Sequence, residues 1–475
     1  MDKHTAMNND IIKQIDELIE ADRANIAADV IKLVNIRSVR EAPLPGAPFG
    51  AGPRKVLDTV MEMGRELGFV VREYENTGVI SLALREGEID MGIWAHGDVV
   101  HEGSGWNFEP YNAVEYKGCI VGRGSTDNKG QLVSALHLLT MFKKLGTPLK
   151  YNPALFVGSD EEAGMADMMG LPGNPEAVGF INKFKAPRLS LVPDSSFPVG
   201  YGGKGSMRVR FRSTEGWEKL AFTAGTPDAP GRAVAILPGA EYAEFENCTT
   251  EKCGSGIKIT AETPPIHSAH PKPGGNMVTI VTGALLDNDL LTEADAKKAA
   301  FLKAVSLDVD GEMFGVKTAG VGMGDLTLAL LDIIEVDGKI EFGINMRYPM
   351  GTTYEEVLAK VTATAAANGF EVVDTYCGVR PYLLDKNWEV IERLNQISNE
   401  VCGTDSAPYT LSGGTYAHCL PNGLAFGFSG NKTPEDFPKG HGGAHGKDES
   451  VSLDRLQRGM RIYARSMLAL NDMEW

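Results

Sequence analysis

Cysteine and long apolar segments are both scarce in this sequence. The 475 residues include six cysteines, and none of them forms a CxxC pair. This spacing argues against a disulfide-framed secreted domain and against a zinc ribbon, so we expect reduced thiols and a cytoplasmic protein. No apolar stretch approaches the ~18–20 residues that span a bilayer. The first ten residues are polar and lack the apolar core of a signal peptide.

Basic residues are in deficit. Lys and Arg total 46 against 63 Asp and Glu, which gives a formal net charge of −17. A chain this acidic repels phosphate backbones and anionic lipid headgroups, so nucleic acid and membrane surfaces are excluded as expected partners. The length predicts two or three domains at roughly 100–200 residues each.

The first 200 residues alternate between predicted strands and helices. Apolar runs at Met91–His96, Ala154–Val157 and Leu189–Val192 predict strands, and the spacing in Gln131–Leu145 predicts a helix. Such alternation favours an α/β fold, here a mixed sheet flanked by helices. Polar residues follow each of the three strands, where open α/β sheets place their ligands.

From about Tyr201 the predicted strands and helices no longer alternate regularly, which indicates an α+β arrangement. Met277–Val281 is predicted to be a strand, and Glu215–Ala224 is predicted to be a helix. We therefore predict an inserted α+β domain over residues 200–384. Residues 1–199 and 385–475 form the other domain, because the histidine in the C-terminal segment needs carboxylate partners that occur only near the N-terminal strands.

Acidic and histidine residues stand in five glycine-rich turns after apolar runs. They are His96 with Asp98, Asp127, Glu161 with Glu162, Asp194, and His445. Mixed imidazole and carboxylate ligands suit zinc, cobalt or manganese. Their number suits two ions about 3.5–4 Å apart that share one carboxylate. Any one of these residues alone is more often a solvated turn residue, so the prediction depends on the joint pattern.

The residue types within the pattern suggest a division of roles. Asp98 lies two residues beyond His96, so its carboxylate could accept the second imidazole N–H and orient the ring. Asp127 precedes the predicted helix, whose N-terminus favours a carboxylate. In the Glu161–Glu162 pair, one side chain can ligate while the other faces a water and acts as general base.

These motifs together resemble one metallopeptidase family, that of aminoacylase, carboxypeptidase G, succinyl-diaminopimelate desuccinylase, carnosinase and peptidase V. The similar segments are His96-Gly97-Asp98-Val99-Val100, Gly122-Arg123-Gly124, Asp127-Asn128-Lys129-Gly130 and Asp160-Glu161-Glu162-Ala163-Gly164. The resemblance implies two divalent metal ions, zinc foremost with manganese or cobalt as alternatives. It implies as ligands His96, Asp127 (bridging), Glu162, Asp194 and His445. It further implies that Asp98 is the orienting residue and that Glu161 is the base that activates a metal-bridging water.

The inserted segment carries further resemblances, and the family implies that this segment is a lid. His267 begins a run similar to the family's His-x-x-x-Pro-x-x-Gly-x-Asn, which implies that it stabilises the oxyanion, with His270 as its rival. Asn345-Met346-Arg347 is similar to the segment whose arginine binds a substrate carboxylate in peptidase V. A planar guanidinium suits that task, and the alternative is a salt bridge within the lid.

The length of the insert and the run Gly413-Gly414-Thr415-Tyr416-Ala417 resemble the peptidase V branch. Two positions depart from that branch: His418 stands where it usually has arginine, and Pro227 lies in a turn where an asparagine is expected. Both positions would contact the substrate. We predict a dipeptidase that acts on short unblocked peptides. For its oligomeric state we expect a monomer in preference to a dimer. The alternatives are an N-acyl-amino-acid deacylase or carboxypeptidase with the same chemistry, or a binding protein that has lost catalysis.

Overall fold

A computed structural model describes residues 3–225, 229–264, 266–428 and 433–475. Pro227 therefore lies outside the described residues. Internal contacts divide the chain into two units. The first extends to Tyr201 and also includes Leu384–Tyr409 and Thr415–Trp475, whereas the second comprises Gly202–Leu383 and Thr410–Gly414.

The helices are numbered in chain order. They are α1 (Lys3–Ala21), α2 (Arg23–Val34), α3 (Ala51–Glu66), α4 (Gly130–Lys144), α5 (Ala166–Met169), α6 (Phe180–Lys183), α7 (Met277–Asp287), α8 (Glu293–Leu307), α9 (Tyr354–Ala367), α10 (Glu389–Cys402) and α11 (Leu453–Leu470). None of these described helices has both the length and the apolar character needed to cross a bilayer.

The strands are numbered in the same way. They are β1 (Val70–Tyr74), β2 (Val79–Ala83), β3 (Met91–His96), β4 (Val114–Tyr116), β5 (Cys119–Val121), β6 (Pro153–Gly158), β7 (Leu189–Val192), β8 (Gly200–Gly203), β9 (Gly205–Ser213), β10 (Ala221–Gly225), β11 (Arg232–Leu237), β12 (Thr249–Cys253), β13 (Gly256–Glu262), β14 (Thr327–Val336), β15 (Lys339–Tyr348), β16 (Phe370–Cys377), β17 (Tyr382–Leu383), β18 (Tyr409–Leu411), β19 (Gly423–Ala425) and β20 (Ser450–Ser452).

The sheet of the first unit is mixed, with the order β1-β2-β6-β3-β7-β19-β8. Strands β6, β3 and β7 run parallel, and His96 at the end of β3 lies opposite Gly158 at the end of β6. All three strands are buried along their whole length, as expected where helices cover both faces of a parallel sheet. The predicted fold class, an α/β mixed sheet flanked by helices, is confirmed.

A small separate sheet in the first unit joins distant parts of the chain. It has the order β20-β5-β4, and Ser450 on β20 lies opposite Val121 on β5. The segment that follows His445 is thereby held beside the segment that precedes Asp127.

The second unit is an α+β structure. Its described sheet has the order β12-β13-β11-β10-β14-β15-β9-β16, and its strand pairs are antiparallel. One face is apolar and packs against α7, α8 and α9, as shown by the core that includes Phe211, Phe342 and Val361. The opposite face carries charged side chains, among them Arg210 and Glu341.

Two sequence predictions within this unit are wrong. Met277–Val281 begins a helix, because Asn276 caps it and Val278, Val281, Thr282 and Leu285 are buried at helical spacing. Most of the predicted helix Glu215–Ala224 is irregular, and its end belongs to strand β10. Burial alternates along β10, which is the period of a half-covered strand.

Candidate metal centre

Three parallel strands deliver candidate ligands to one edge of the sheet. His96 is the last residue of β3, Glu161 and Glu162 follow β6, and Asp194 follows β7. Because the carboxyl ends of parallel strands meet at the same edge, residues far apart in sequence become neighbours there.

Asp127 reaches the same place from a turn in front of α4. It lies within Ser125–Lys129 and has a non-helical backbone, with φ −145° and ψ 89°. The backbone N–H groups of Thr126 and Asp127 each donate to Glu449 Oε1 at 3.0 Å. A buried carboxylate from the C-terminal segment therefore sets the direction of the Asp127 backbone.

His445 completes the group from the loop before β20. Its backbone is left-handed, with φ 60°, and Arg123 Nη2 donates to its carbonyl oxygen at 3.2 Å. Arg123 also donates to Glu449 Oε2 at 2.6 Å. One buried ion pair thus holds both the Asp127 turn and the His445 loop.

The side chains form two groups that share Asp127. In the first, His96 Nε2 lies 3.1 Å from Asp127 Oδ1 and 3.7 Å from Asp194 Oδ2. In the second, His445 Nε2 lies 3.1 Å from Asp127 Oδ2 and 3.1 Å from Glu162 Oε2. Each group of three brings its ligand atoms within 4.8 Å of one another. Asp127 therefore presents one oxygen to each group.

Like charges are crowded in this cluster. Burial, and then the charge of Asp127, raise the pKa of Asp194 to about 8 and raise that of Glu162 above its usual value. Burial and the charge of Asp194 raise the pKa of Glu161 well above its usual value. A cation among these carboxylates would relieve the repulsion that these shifts express.

Asp127 and the imidazoles are shifted toward their charged forms, so the pKa of Asp127 is lowered and those of His96 and His445 are raised. Burial acts against ionisation, but hydrogen bonds from His445 and His96 hold the pKa of Asp127 below its usual range. Burial likewise disfavours the charged histidine, yet contacts with Asp127 and Glu162 raise the pKa of His445 to about 11. Two mixed sets of imidazole and carboxylate donors, with like-charged neighbours, fit two borderline divalent ions.

The structure shows what the Asp98 carboxylate contacts. His96 Nδ1 lies 3.0 Å from the backbone oxygen of Asp98 and 3.5 Å from its Oδ1. A proton on Nδ1 donated to that carbonyl leaves Nε2 free to ligate. The Asp98 carboxylate also accepts the backbone N–H of Glu161 at 3.1 Å and that of Glu162 at 3.0 Å.

Glu161 sits beside the cluster without joining either group of three. Its side chain is buried, and Oε1 has no hydrogen-bond partner within the part of the chain that the structure describes. A buried carboxyl with one uncommitted oxygen and a raised pKa has the properties of a general acid and base.

The other two predicted site residues lie in the second unit. His267 is exposed, and its Nδ1 accepts the backbone N–H of Ala269 at 3.1 Å. The neighbouring Ser268 accepts a hydrogen bond from Asn345 Nδ2 at 3.0 Å. Arg347 lies two residues beyond Asn345 on β15, so this contact joins the His267 loop to the strand that carries Arg347.

Arg347 is in an unusual environment for an arginine. Its Nε is buried, and no described residue accepts a hydrogen bond from it or forms an ion pair with its guanidinium. Burial and the nearby charge of Arg208 lower the pKa of Arg347 to about 10. The alternative of a salt bridge within the lid therefore has no partner in the described residues.

His418, singled out as a departure, lies in the short helical turn Tyr416–Cys419 of the first unit. Its Nδ1 lies 3.2 Å from the backbone oxygen of Thr415. Pro227, the second departure, lies outside the described residues.

Sequence reasoning missed two supports of the site. The Arg123–Glu449 ion pair could not be predicted, because its partners are 326 positions apart in the sequence. Arg123 itself stands in the Gly122-Arg123-Gly124 motif. Asp167 and Tyr416 form a second buried contact behind the Glu161–Glu162 turn. Tyr416 stands in the Gly413-Gly414-Thr415-Tyr416-Ala417 motif, but no sequence motif indicated that Asp167 belongs near the site.

Comparison with protein families gives a match over most of the chain. The model of peptidase family M20/M25/M40 matches residues 92–469. A protein of Staphylococcus saprophyticus named "Putative dipeptidase" is 27% identical over 478 residues, covering 94% of this chain and 97% of that protein.

Solved structures with the same fold include two dipeptidases. The di-peptidase Dug1p from Saccharomyces cerevisiae aligns with a TM-score of 0.61 and 14% identity, covering 98% of this chain and 99% of that one. Human carnosine dipeptidase 1 aligns with a TM-score of 0.58 and 13% identity, covering 97% and 100%. At such identities these two alignments speak for the fold alone.

Proposed function

This chain belongs to peptidase family M20/M25/M40, and from that premise we propose that it is a two-metal dipeptidase that cleaves short unblocked peptides. The relative from Staphylococcus saprophyticus, which is named "Putative dipeptidase" and matches almost end to end, supports this choice of substrate. The charge and the scattered cysteines favour a cytoplasmic enzyme, and the single-chain lid predicted from the sequence favours a monomer.

One observation carries the proposal: Asp127 presents Oδ1 to His96 and Oδ2 to His445, each at 3.1 Å. A carboxylate with a different imidazole at each oxygen is suited to bridge two ions. His96 and Asp194 would hold one ion, whereas Glu162 and His445 would hold the other. Zinc is the first candidate, with manganese or cobalt as alternatives.

When bound, the ions would supply Lewis-acid activation of the attacking water and of the peptide carbonyl. Glu161 would accept a proton from that water and return it to the leaving nitrogen. Its buried, uncommitted Oε1 supports this role, and its raised pKa makes the carboxylate a stronger proton acceptor than an exposed glutamate.

We assign His267 to the oxyanion and Arg347 to the terminal carboxylate of the substrate. The support for Arg347 is its half-buried side chain with a buried Nε, whose neighbour Arg208 is another cation. An anion is the ligand that such a pair attracts, and a planar guanidinium binds a carboxylate through two parallel hydrogen bonds. An enzyme that reads the carboxylate in this way selects substrates by length.

The decisive experiment is hydrolysis of a dipeptide panel by protein stripped with a chelator and then supplied with zinc, manganese or cobalt. We expect one metal to restore cleavage of free dipeptides such as Ala-Leu, while N-acetylated and amidated forms react poorly. Protein carrying Glu161→Gln serves as the matched control, since it retains the shape of the side chain but not its basicity.

Other outcomes of the panel separate the alternatives. Cleavage of N-acetyl-leucine in preference to Ala-Leu would favour a deacylase or carboxypeptidase and would direct attention to His418. Tight metal binding without cleavage of any substrate would favour a binding protein and contradict the proposal.

A further inference from the structure

Four consecutive backbone N–H groups in the turn after β6 point at two buried carboxylates. Ser159 and Asp160 donate to Asp167 Oδ2 at 2.8 and 3.1 Å. Glu161 and Glu162 donate to the two oxygens of Asp98 at 3.1 and 3.0 Å. The turn that presents the proposed base and a proposed ligand is therefore held along its whole length.

Tyr416 fixes the carboxylate at the start of this turn. Its hydroxyl donates to Asp167 Oδ2, the same oxygen that accepts the N–H groups of Ser159 and Asp160. Both side chains are fully buried, with Asp167 at 0% and Tyr416 at 1% exposure. The Tyr416 ring also meets the His96 ring edge-on, with centroids 6.5 Å apart.

The surroundings leave little freedom for this contact to shift. A Cβ at Gly158 would overlap both Tyr416 Oη and Asp167 Oδ2, so the strand end approaches the pair as closely as glycine allows. Beyond it, Asp160 Oδ2 accepts the N–H of Ala166 at 3.0 Å and pairs with Arg40 at 3.1 Å. These contacts anchor both ends of the segment from Ser159 to Asp167.

We propose that Asp167 and Tyr416 are positioning residues that, together with Asp98, hold the Glu161–Glu162 turn in its working geometry. Neither Asp167 nor Tyr416 belongs to the two ligand groups, so they act through the backbone of the turn. Their effect should appear in two quantities at once: metal affinity through Glu162 and turnover through Glu161. The turnover part rests on the proposed peptidase activity, whereas the metal part rests only on Glu162 being a metal ligand.

The test compares full-length wild-type protein with Tyr416→Phe and Asp167→Asn. Zinc affinity is measured by competition with a chromophoric chelator, and kcat and KM for Ala-Leu are measured at saturating metal. Residues that support ligands from behind typically cost about 10–100-fold in metal affinity or activity when mutated. We expect each variant to lose about tenfold or more in zinc affinity and in kcat, with KM little changed.

Tyr151→Phe is the matched control. The Tyr151 hydroxyl is also buried and donates to a backbone oxygen, that of Met467, at 2.6 Å. It lies just before β6, at the opposite end of the strand from the held turn. This variant should lose thermal stability while keeping the zinc affinity and kcat of the wild type.

The outcomes separate this inference from the proposed function. If the wild type cleaves no dipeptide, the proposed function fails, and zinc affinity alone still decides the inference. Variants at Tyr416 and Asp167 that unfold earlier but bind zinc and turn over like the wild type would show that the pair only stabilises the fold. That result would overturn the inference.

Discussion

At the scale of single residues, Asp127 differs from the other proposed ligands because each of its oxygens faces a different histidine. Its removal should therefore damage both groups, whereas removal of Asp194 or His445 should damage only one. We expect Asp127→Ala to bind less than one zinc per chain under conditions where Asp194→Ala and His445→Ala each keep about one. Metal analysis after gel filtration measures these ratios, and equal losses in all three variants would argue against a shared carboxylate.

Glu161 and Glu162 are adjacent, yet the proposal gives them different tasks. Glu161→Ala should reduce kcat by about 10²–10⁴-fold, the usual contribution of a general acid and base. Its metal content should remain that of the wild type, because Glu161 lies in neither ligand group. Parallel measurements of kcat and bound zinc test this expectation, and loss of zinc would mean that the roles of the two glutamates are exchanged.

The proposed role of Arg347 can be tested by varying the substrate's C-terminus as well as the enzyme. Arg347→Met removes a charge-assisted contact, which is worth about 1.5–3 kcal/mol and corresponds to about 10–100-fold in kcat/KM. The loss should appear with free dipeptides and disappear with C-terminal amides, which lack the carboxylate. Equal losses for both substrate forms would mean that Arg347 supports the second unit and does not bind the carboxylate.

At the same scale, the sequence was informative where chemistry and local pattern coincide. Turns after apolar runs marked His96, Asp127, the Glu161–Glu162 pair, Asp194 and His445, and the family resemblance implied Glu162 as the ligand of that pair. The structure brings the ligand atoms of these five residues together in two groups. Asp167 could not be selected, because a buried acid that binds backbone N–H groups has the same sequence appearance as a surface acid. Its task depends on the path of the backbone around it.

At the scale of elements, a strand and a helix of similar apolar content are hard to distinguish in sequence. The parallel strands were predictable because β3, β6 and β7 are short apolar runs that end in polar turns. The run at Met277 is equally apolar and rich in β-branched residues, so it reads as a strand. The Asn276 cap, whose side chain accepts the N–H of Val278, is what marks the helix.

Helix α4 carries a titratable contact that ties it to the N-terminal helices. His137 Nδ1 lies 2.6 Å from Asp22 Oδ2, and Nε2 lies 3.0 Å from Asp29 Oδ2. Burial lowers the pKa of His137, but the two aspartates outweigh burial and raise it above its usual value. Asn25 and Lys144 also act on Asp22 and help to keep that carboxylate ionised.

The sign of the resulting pH dependence follows from the raised pKa. The contact stabilises the fold fully below the unfolded histidine pKa of about 6.5 and loses its contribution as pH rises through the higher folded value. We expect His137→Gln to cost about 1.5–3 kcal/mol near pH 6 and progressively less at alkaline pH. Denaturant unfolding of both proteins between pH 5.5 and 9 measures the difference, and a constant difference would contradict the assignment.

At the scale of the whole molecule, the proposed centre depends on contacts that only the complete first unit can make. Glu449 reaches back to Arg123 and to the backbone of Asp127, and the β20–β5 pairing holds that return in register. The sequence predicts that the C-terminal segment returns to the first domain, because His445 requires carboxylate partners near the N-terminal strands. The contacts that hold this segment in place could not be predicted, because no local sequence pattern indicates a buried ion pair between distant segments.

This arrangement predicts that metal removal loosens the first unit selectively. Without the ions, Glu162 and Asp194 keep raised pKa values from burial and mutual repulsion, so ionised carboxylates at neutral to alkaline pH destabilise the centre. A ligand present at 100 times its Kd stabilises by about 2.7 kcal/mol, which for a unit of this size is about 5 °C or more. Chelator-treated protein at pH 8 should melt earlier by that amount and recover when zinc is returned.

Hydrogen exchange gives this prediction its spatial test. The amides of Thr126, Asp127 and Ser159–Glu162 donate to buried carboxylates beside the ligands, so chelation should accelerate their exchange. Amides within β9 and β15 of the second unit pair with each other and should exchange at unchanged rates. Equal acceleration in both units would mean that the ions stabilise the chain globally, and it would count against a metal centre formed by the first unit alone.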